Sequence, residues 1–201
     1  MARQILNPNS LAPNDKLGDT PFDYTTKLNA MTEELYAGST ANTNGFMDYN
    51  DTSTTITPIT LLGNTWITVP NNGLGSFTSK TYAPSGVTEL MDVSNGNIVP
   101  LDLPLGSTML IRNDYTVTPN TNNALLEFRY TLGTGGGAYT LEKIVGRLDS
   151  GSGIGYRRSL VPDLIYLGDL NTRDNPIGLE VRLSAGGTLV NAGSAIQVIK
   201  Q

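Results

Sequence analysis

The sequence predicts a mainly β protein, an antiparallel jelly-roll or β-sandwich preceded by an extended arm and one short N-terminal α-helix. Three observations lead there. Across 201 residues, 22 Gly, 11 Pro and many Thr and Asn favour strands and tight turns over helices. From Thr54 onward, short apolar segments recur at strand length with turn signals between them. Neither βαβ alternation nor a repeat of roughly 20–50 residues stands out.

Taken in order, residues 1–19 hold Pro8, Pro13 and Gly18, with apolar side chains scattered at Ile5, Leu6, Leu11 and Leu17. No period emerges, so this is an arm that is ordered only against another surface; in the free protein it reads equally as disordered. Residues 20–38 carry the one convincing helix. Thr20 suits the cap, Pro21 the first helical position, Asp23 a near capping box and Gly38 the stop. Tyr24, Leu28, Met31 and Leu35 are spaced by four, three and four, a heptad seam. Two packings are open for that seam, against the chain's own domain or against symmetry mates in a short trimer stem. Isolated helices below ~12–15 residues are marginal in water, so a stem this short relies on association elsewhere.

Residues 39–53 read as a polar linker, and residues 54–201 as the β-domain. Ile56, Ile59 and Leu61–Leu62 lead to Trp66–Val69. The later strand candidates are Phe77–Tyr82, Val87–Val93, Ser107–Val117, Ala124–Leu132, Tyr139–Val145, Tyr156–Tyr166, Gly178–Leu183 and Thr188–Ile199. Alternation is clearest in Leu110–Val117 and Leu179–Leu183, where one face is buried and one wet.

The chain contains neither Cys nor His. That removes disulfides, thiolate catalysis, the commonest general base and the commonest transition-metal ligand, and it counts against an enzyme. Net charge is -5, the wrong sign for neutralising phosphates, so no nucleic acid partner is expected. No stretch approaches the ~20 apolar residues of a membrane helix, and the start has no signal-like apolar core. Membrane insertion is not expected, and synthesis is placed in the host cytoplasm.

Several residue groups invite a functional reading. Gly133-Thr134-Gly135-Gly136-Gly137 lacks the Lys and helix start of a phosphate loop and reads as a hairpin tip. Asp48, Asn50 and Asp51, and separately Asp163, Asp169, Asp174 and Asn175, resemble calcium ligands, yet turn chemistry accounts for both sets. Asp163 with Asp169 is a carboxylate pair without a defined cleft. Arg157, Arg158 and Tyr166 suit either an anionic glycan or a charged strand edge. No catalytic residue, metal ligand or cofactor is therefore assigned.

Leu17-Gly18-Asp19-Thr20-Pro21 running through Lys27-Leu28-Asn29-Ala30 to Glu34-Leu35-Tyr36-Ala37 resembles a segment near the N-termini of tailed-bacteriophage fibre, spike and decoration proteins. A second likeness spans the C-terminal half: Leu110–Val117, Leu126-Glu127-Phe128-Arg129-Tyr130 with its Gly-rich hairpin, Tyr166-Leu167-Gly168-Asp169, Asn171–Pro176 and the closing Thr188–Asn191. It is similar to the jelly-roll of many phage virion proteins. The last strand, Ala195–Ile199, departs from that pattern by carrying no aromatic. The resemblance implies a homotrimer on the virion surface. Residues 1–19 would anchor it to capsid or tail proteins, with Ile5, Leu6, Leu11 and Leu17 as contacts, and the helices would form a stem. The expected function is capsid decoration or a head fibre. The alternative is a tail adaptor or short receptor-binding tail fibre for host attachment through a surface glycan.

Overall fold

The computed structural model describes residues 21–40, 42–149, 151, 153–160 and 162–201. The chain divides into two compact units, 1–42 and 43–201.

In the first unit, helix α1 spans Pro21–Thr40. Pro21 opens it, as expected from a residue whose φ is already helical and whose missing N–H is not needed there. Gly38 does not stop it: the helix runs two residues further, because glycine accepts helical dihedrals as well as left-handed ones and no proline follows closely.

The second unit is a mainly β antiparallel sandwich. Its elements are β1 (Asn44–Asn50), α2 (Ser53–Ile56), β2 (Ile59–Leu61), β3 (Ile67–Thr68), β4 (Ser79–Tyr82), β5 (Met91–Asp92), β6 (Asn97–Ile98), β7 (Thr108–Pro119), β8 (Ala124–Leu132), β9 (Tyr139–Leu148), β10 (Tyr156–Ser159), β11 (Asp163–Tyr166), α3 (Leu170–Asp174), β12 (Gly178–Leu183) and β13 (Gly187–Ile199). Sheet A runs β10-β7-β13-β1-β4, with β11 extending β10 along β7 and β2 extending β1 along β13. Sheet B runs β3-β12-β8-β9. The pairings are nested: β8 with β9, β7 with β10 and β11, β3 with β12, β1 with β13. An antiparallel ladder rolled up in that way is a jelly-roll.

The core lies between the two sheets. Met47, Tyr49, Met109, Ile111, Tyr115, Val117, Ile196 and Val198 face inward from sheet A, and Leu126, Phe128, Tyr130, Leu132, Val181 and Leu183 face them from sheet B. The Tyr115 and Phe128 rings meet across the gap with centroids 4.7 Å apart. Asn113 donates to the Tyr130 hydroxyl and accepts from Ser194 Oγ at 2.6 Å, a buried polar tie between the sheets. At the bulge between Asn191 and Gly193 the β1 backbone comes very close: Gly193 has φ +135°, and a Cβ there would sit 2.3 Å from the Tyr49 carbonyl oxygen.

The structure corrects several sequence expectations. Residues 44–50, assigned to the linker, form β1 between β13 and the edge strand β4; Met47 and Tyr49 alternate inward, and a short segment rich in Asn and Asp hid that period. Ile56 belongs to α2 rather than to a strand. The segment expected as one strand, Tyr156–Tyr166, is two, because Pro162 offers no N–H and pairing with β7 resumes at Asp163. The expected strand Val87–Val93 shrinks to Met91–Asp92, which forms a tight hairpin with the unforeseen β6.

Candidate assembly surface

The outward faces of the two sheets differ in kind. On sheet B, direct cross-strand neighbours carry opposite charges: Arg129 faces Glu180 and Arg182 faces Glu127. Arg129 Nε lies 2.7 Å from Glu180, and Arg182 grips Glu127 with two nitrogens at 2.8 and 2.9 Å. Both guanidiniums also stack near the Trp66 ring, 4.3 and 4.5 Å from its centroid. The Glu127 carboxylate holds the Arg182 guanidinium above its ordinary range. These charges satisfy one another, while Ile144, paired with Glu127, stays exposed on the same face.

On sheet A, the outward face is polar along much of β7 and β1 but carries a local group of exposed apolar side chains. Register sets Leu164, Leu110, Gln197, Phe46 and Tyr82 in one row across five strands, all exposed. The next row, Tyr166, Thr108, Ile199 and Asn44, adds two more exposed apolar residues. Together Phe46, Leu110, Arg112, Pro162, Ala195 and Gln197 line a shallow groove of about 130 Å³. Its polar edge holds Arg112, 3.2 Å from Asp114, and Asp48, whose carboxyl is raised above the usual range by burial, against the opposing pull of Arg112. Exposed apolar side chains thus lie beside a border of paired charges on this face.

At the open edge of the sandwich, Lys143 on β9 reaches Asp163 on β11 at 2.8 Å and links the outermost strands of the two sheets. Asp163 therefore serves as an ion-pair partner and Asp169 as the cap of α3, accepting from Thr172 N and Oγ1 at 2.9 and 3.0 Å, which holds its carboxyl below the usual range. Asp174 pairs with Arg173 at 2.6 Å, and Asn175 donates to the Asn171 carbonyl at 2.8 Å. The turn chemistry expected from the sequence is seen at Asp169 and Asn175, whereas Asp163 sits on a strand and Asp174 in an ion pair.

The other set, Asp48, Asn50 and Asp51, is split. Asp48 and Asn50 both lie on β1, and Asp51 follows it; Asn50 and Asp51 bond to the loops beside the strand. Asp51 is 5% exposed and accepts from Ser53 Oγ, Thr54 N, Thr54 Oγ1 and Asn72 N at 2.7, 2.8, 2.5 and 3.0 Å. These hydrogen bonds outweigh a burial penalty that by itself is the largest influence, and they leave its carboxyl below the ordinary value. Among the described residues no group of three or more acidic side chains is placed to hold a metal ion.

Arg157 and Arg158 lie on opposite faces of β10, and Arg158 donates to the Arg157 carbonyl at 2.9 Å. Tyr166 pairs with Thr108, eight residues along β7 from the partner of Arg157, a separation of roughly 27 Å. The three do not form one site. The Gly133–Gly137 segment is the β8–β9 hairpin tip, pinned by Asn171, which accepts from Thr134 N at 3.1 Å. Of the helical seam, Leu28 and Met31 are 44% and 39% exposed on α1; the side chains of Tyr24 and Leu35 lie outside the described residues. So do Ile5, Leu6, Leu11 and Leu17. Among the described residues no helix is long and apolar enough to cross a membrane.

The exposed apolar group on sheet A is the feature that sequence reasoning missed. Its signal was present as doubled apolar residues inside alternating strands: Phe46-Met47, Met109-Leu110-Ile111, Leu164-Ile165-Tyr166 and Val198-Ile199. A half-buried strand needs only every second one.

No protein-family model matches the chain, and no curated protein matches it. Among solved structures, a chain from the infectious bursal disease virus Gt strain aligns at 13% identity and TM-score 0.38 over 78% of this chain, which spans only 33% of the viral one. Eiger TNF from S. frugiperda aligns at 12% identity and TM-score 0.40, covering 80% of this chain and 93% of its own. Likenesses at this level assign neither an activity nor a partner.

Proposed function

We propose that the chain is a bacteriophage virion structural protein, a homotrimer that decorates the capsid or forms a short head fibre and carries no catalytic site. The outward face of sheet A supports this reading: Leu164, Leu110, Phe46 and Tyr82 share one exposed row, whereas the central charges of sheet B pair with one another. Covering the exposed part of each such apolar side chain contributes a fraction of the ~1.5–3 kcal/mol of full burial, and copies of the same chain can supply the cover. The exposed Leu28 and Met31 agree with helices that meet one another in a stem. Residues 1–19 then act as three anchoring arms. Joined in one trimer they bind jointly, since linkage raises the effective concentration of the second and third arm.

Sedimentation at micromolar concentration should return a trimer; a compact single chain would end this reading. Labelled protein added to particles that lack it should dock on capsids, and removal of residues 1–19 should abolish docking yet leave a folded trimer. Binding to host cells in place of capsids would move the protein to the tail, as an adaptor or receptor-binding fibre.

A further inference from the structure

We propose that Asp92 guards the Asn95-Gly96 pair, holding both reacting groups so that the asparagine is not converted to aspartate or isoaspartate while the β5–β6 hairpin is folded.

The chain has three Asn-Gly pairs, Asn44-Gly45, Asn72-Gly73 and Asn95-Gly96. Such a pair is the most reactive setting for an asparagine, because glycine has no side chain to shield its nitrogen or to restrict the approach. At the third pair, the Gly96 nitrogen loses its proton and attacks the Asn95 side-chain carbonyl carbon. A C–N bond forms, the bond to the side-chain nitrogen breaks, and ammonia leaves with the proton restored to it. Water then opens the cyclic imide at either carbonyl. One opening gives aspartate; the other routes the main chain through the side chain and lengthens it by one carbon.

The fold cannot avoid this chemistry by exchanging the glycine. Gly96 has φ +81°, and a Cβ there would lie 2.3 Å from Asn71 N and 2.8 Å from the Pro70 carbonyl carbon. Gly45 is fixed as firmly, since its Cβ would lie 2.3 Å from Pro84 Cδ. Each pair is held in its own way. Gly45 lies within β1, in register with Val198 of β13. Gly73 N donates to Asn71 Oδ1 at 2.9 Å, and Thr52 holds the Asn72 amide, which accepts from its N and donates to its Oγ1, both at 3.0 Å. Asn95 is exposed on the turn between β5 and β6.

There Asp92 supplies the restraint. Its carbonyl accepts from Gly96 N at 2.7 Å, which ties down the nitrogen that must attack. Its carboxylate Oδ2 accepts from Asn95 Nδ2 at 2.7 Å, which ties down the amide under attack. Asn97 N completes the hold by donating to Asn95 Oδ1 at 2.8 Å. The carboxylate is itself set by Ser94, whose N and Oγ donate to Oδ1 at 3.0 and 2.6 Å. Ring closure needs the Asn95 carbonyl carbon to swing onto the Gly96 nitrogen, and that motion breaks these bonds together. An inserted carbon would also push Gly96 against the 70–71 backbone, beside the Asn71 Nδ2 that donates to the Tyr49 carbonyl at 2.9 Å. The guard therefore protects a contact to β1 as well as the hairpin.

The test follows conversion by peptide mass spectrometry after long incubation of the full chain in mildly alkaline buffer, beside a synthetic peptide of residues 90–99. Wild-type Asn95 should convert at least about tenfold more slowly than the peptide, the effect of two or three retained hydrogen bonds. Asp92→Ala should raise the rate at Asn95 toward that of the peptide and leave Asn44 unchanged. Asp92→Asn, which keeps the shape but only one acceptor oxygen, takes its place if circular dichroism shows the alanine variant to be poorly folded. Wild-type conversion at the peptide's rate overturns the proposal, as does a folded variant whose Asn95 stays as slow as wild type. An equal rise at Asn44 overturns it too, since the protection then belongs to the fold at large.

Discussion

Asp51 offers the sharpest test of how the β-domain is held, because the same residue would have been a metal ligand had Asp48, Asn50 and Asp51 been a site. Its carboxylate is buried and takes hydrogen bonds from Ser53, Thr54 and Asn72. Thr54 Oγ1 in turn accepts from Asn191 N at 2.8 Å, so Asp51 fastens α2 to the β13 bulge. Asp51→Ala leaves the Thr54 and Asn72 N–H groups without their acceptor. At ~1–3 kcal/mol for each buried donor left unpaired, partly relieved by relaxation, the loss is about 3 kcal/mol. With a urea slope of ~2 kcal/mol/M, the midpoint falls by roughly 1.5 M at fixed protein concentration. Asp51→Asn keeps one acceptor oxygen and should lose about half as much. Because folding lowers the carboxyl's pKa, its contribution is fully present above the unfolded value and fades as pH falls through the folded one. The gap between wild type and Asp51→Asn should therefore be wide at pH 7 and narrow below about pH 4. Adding on the order of millimolar calcium should leave the wild-type midpoint unchanged. A midpoint for Asp51→Ala within about 0.25 M of wild type, or a clear calcium-dependent rise, would refute the reasoning.

Tyr130→Phe strands the buried Asn113 amide and should cost about 1–2 kcal/mol in chemical unfolding. Tyr115→Phe should be neutral or slightly stabilising in the same assay, since among the described residues the Tyr115 hydroxyl has no hydrogen-bond partner and its burial pushes its pKa up. Gly193→Ala forces a side chain into the Tyr49 carbonyl at a φ that L-residues rarely adopt, and a drop of at least about 2 kcal/mol with loss of exchange protection in β1 is expected. Leu28→Asp combined with Met31→Asp should weaken trimer association by sedimentation while the β circular dichroism signal persists; collapse of that signal would place the helix in the domain core.

The sequence by itself determined the fold class, because period-2 burial and turn residues are local properties that each strand carries alone. Leu179–Leu183 alternates so plainly that its inward face could be read directly, and the structure buries Leu179, Val181 and Leu183 as that pattern requires. Pro21 likewise announced the start of α1. Register was not legible. That Leu164, Leu110, Gln197, Phe46 and Tyr82 share one row depends on pairings between residues up to about 150 positions apart, fixed by the packed core and the β13 bulge rather than by any one segment. The same is true of β1, whose weak pattern becomes a strand only because β13 and β4 complete its hydrogen bonds. A chain can state which of its residues avoid water, but tertiary structure alone decides which of them gather on one face, and that gathering makes a surface another molecule can cover.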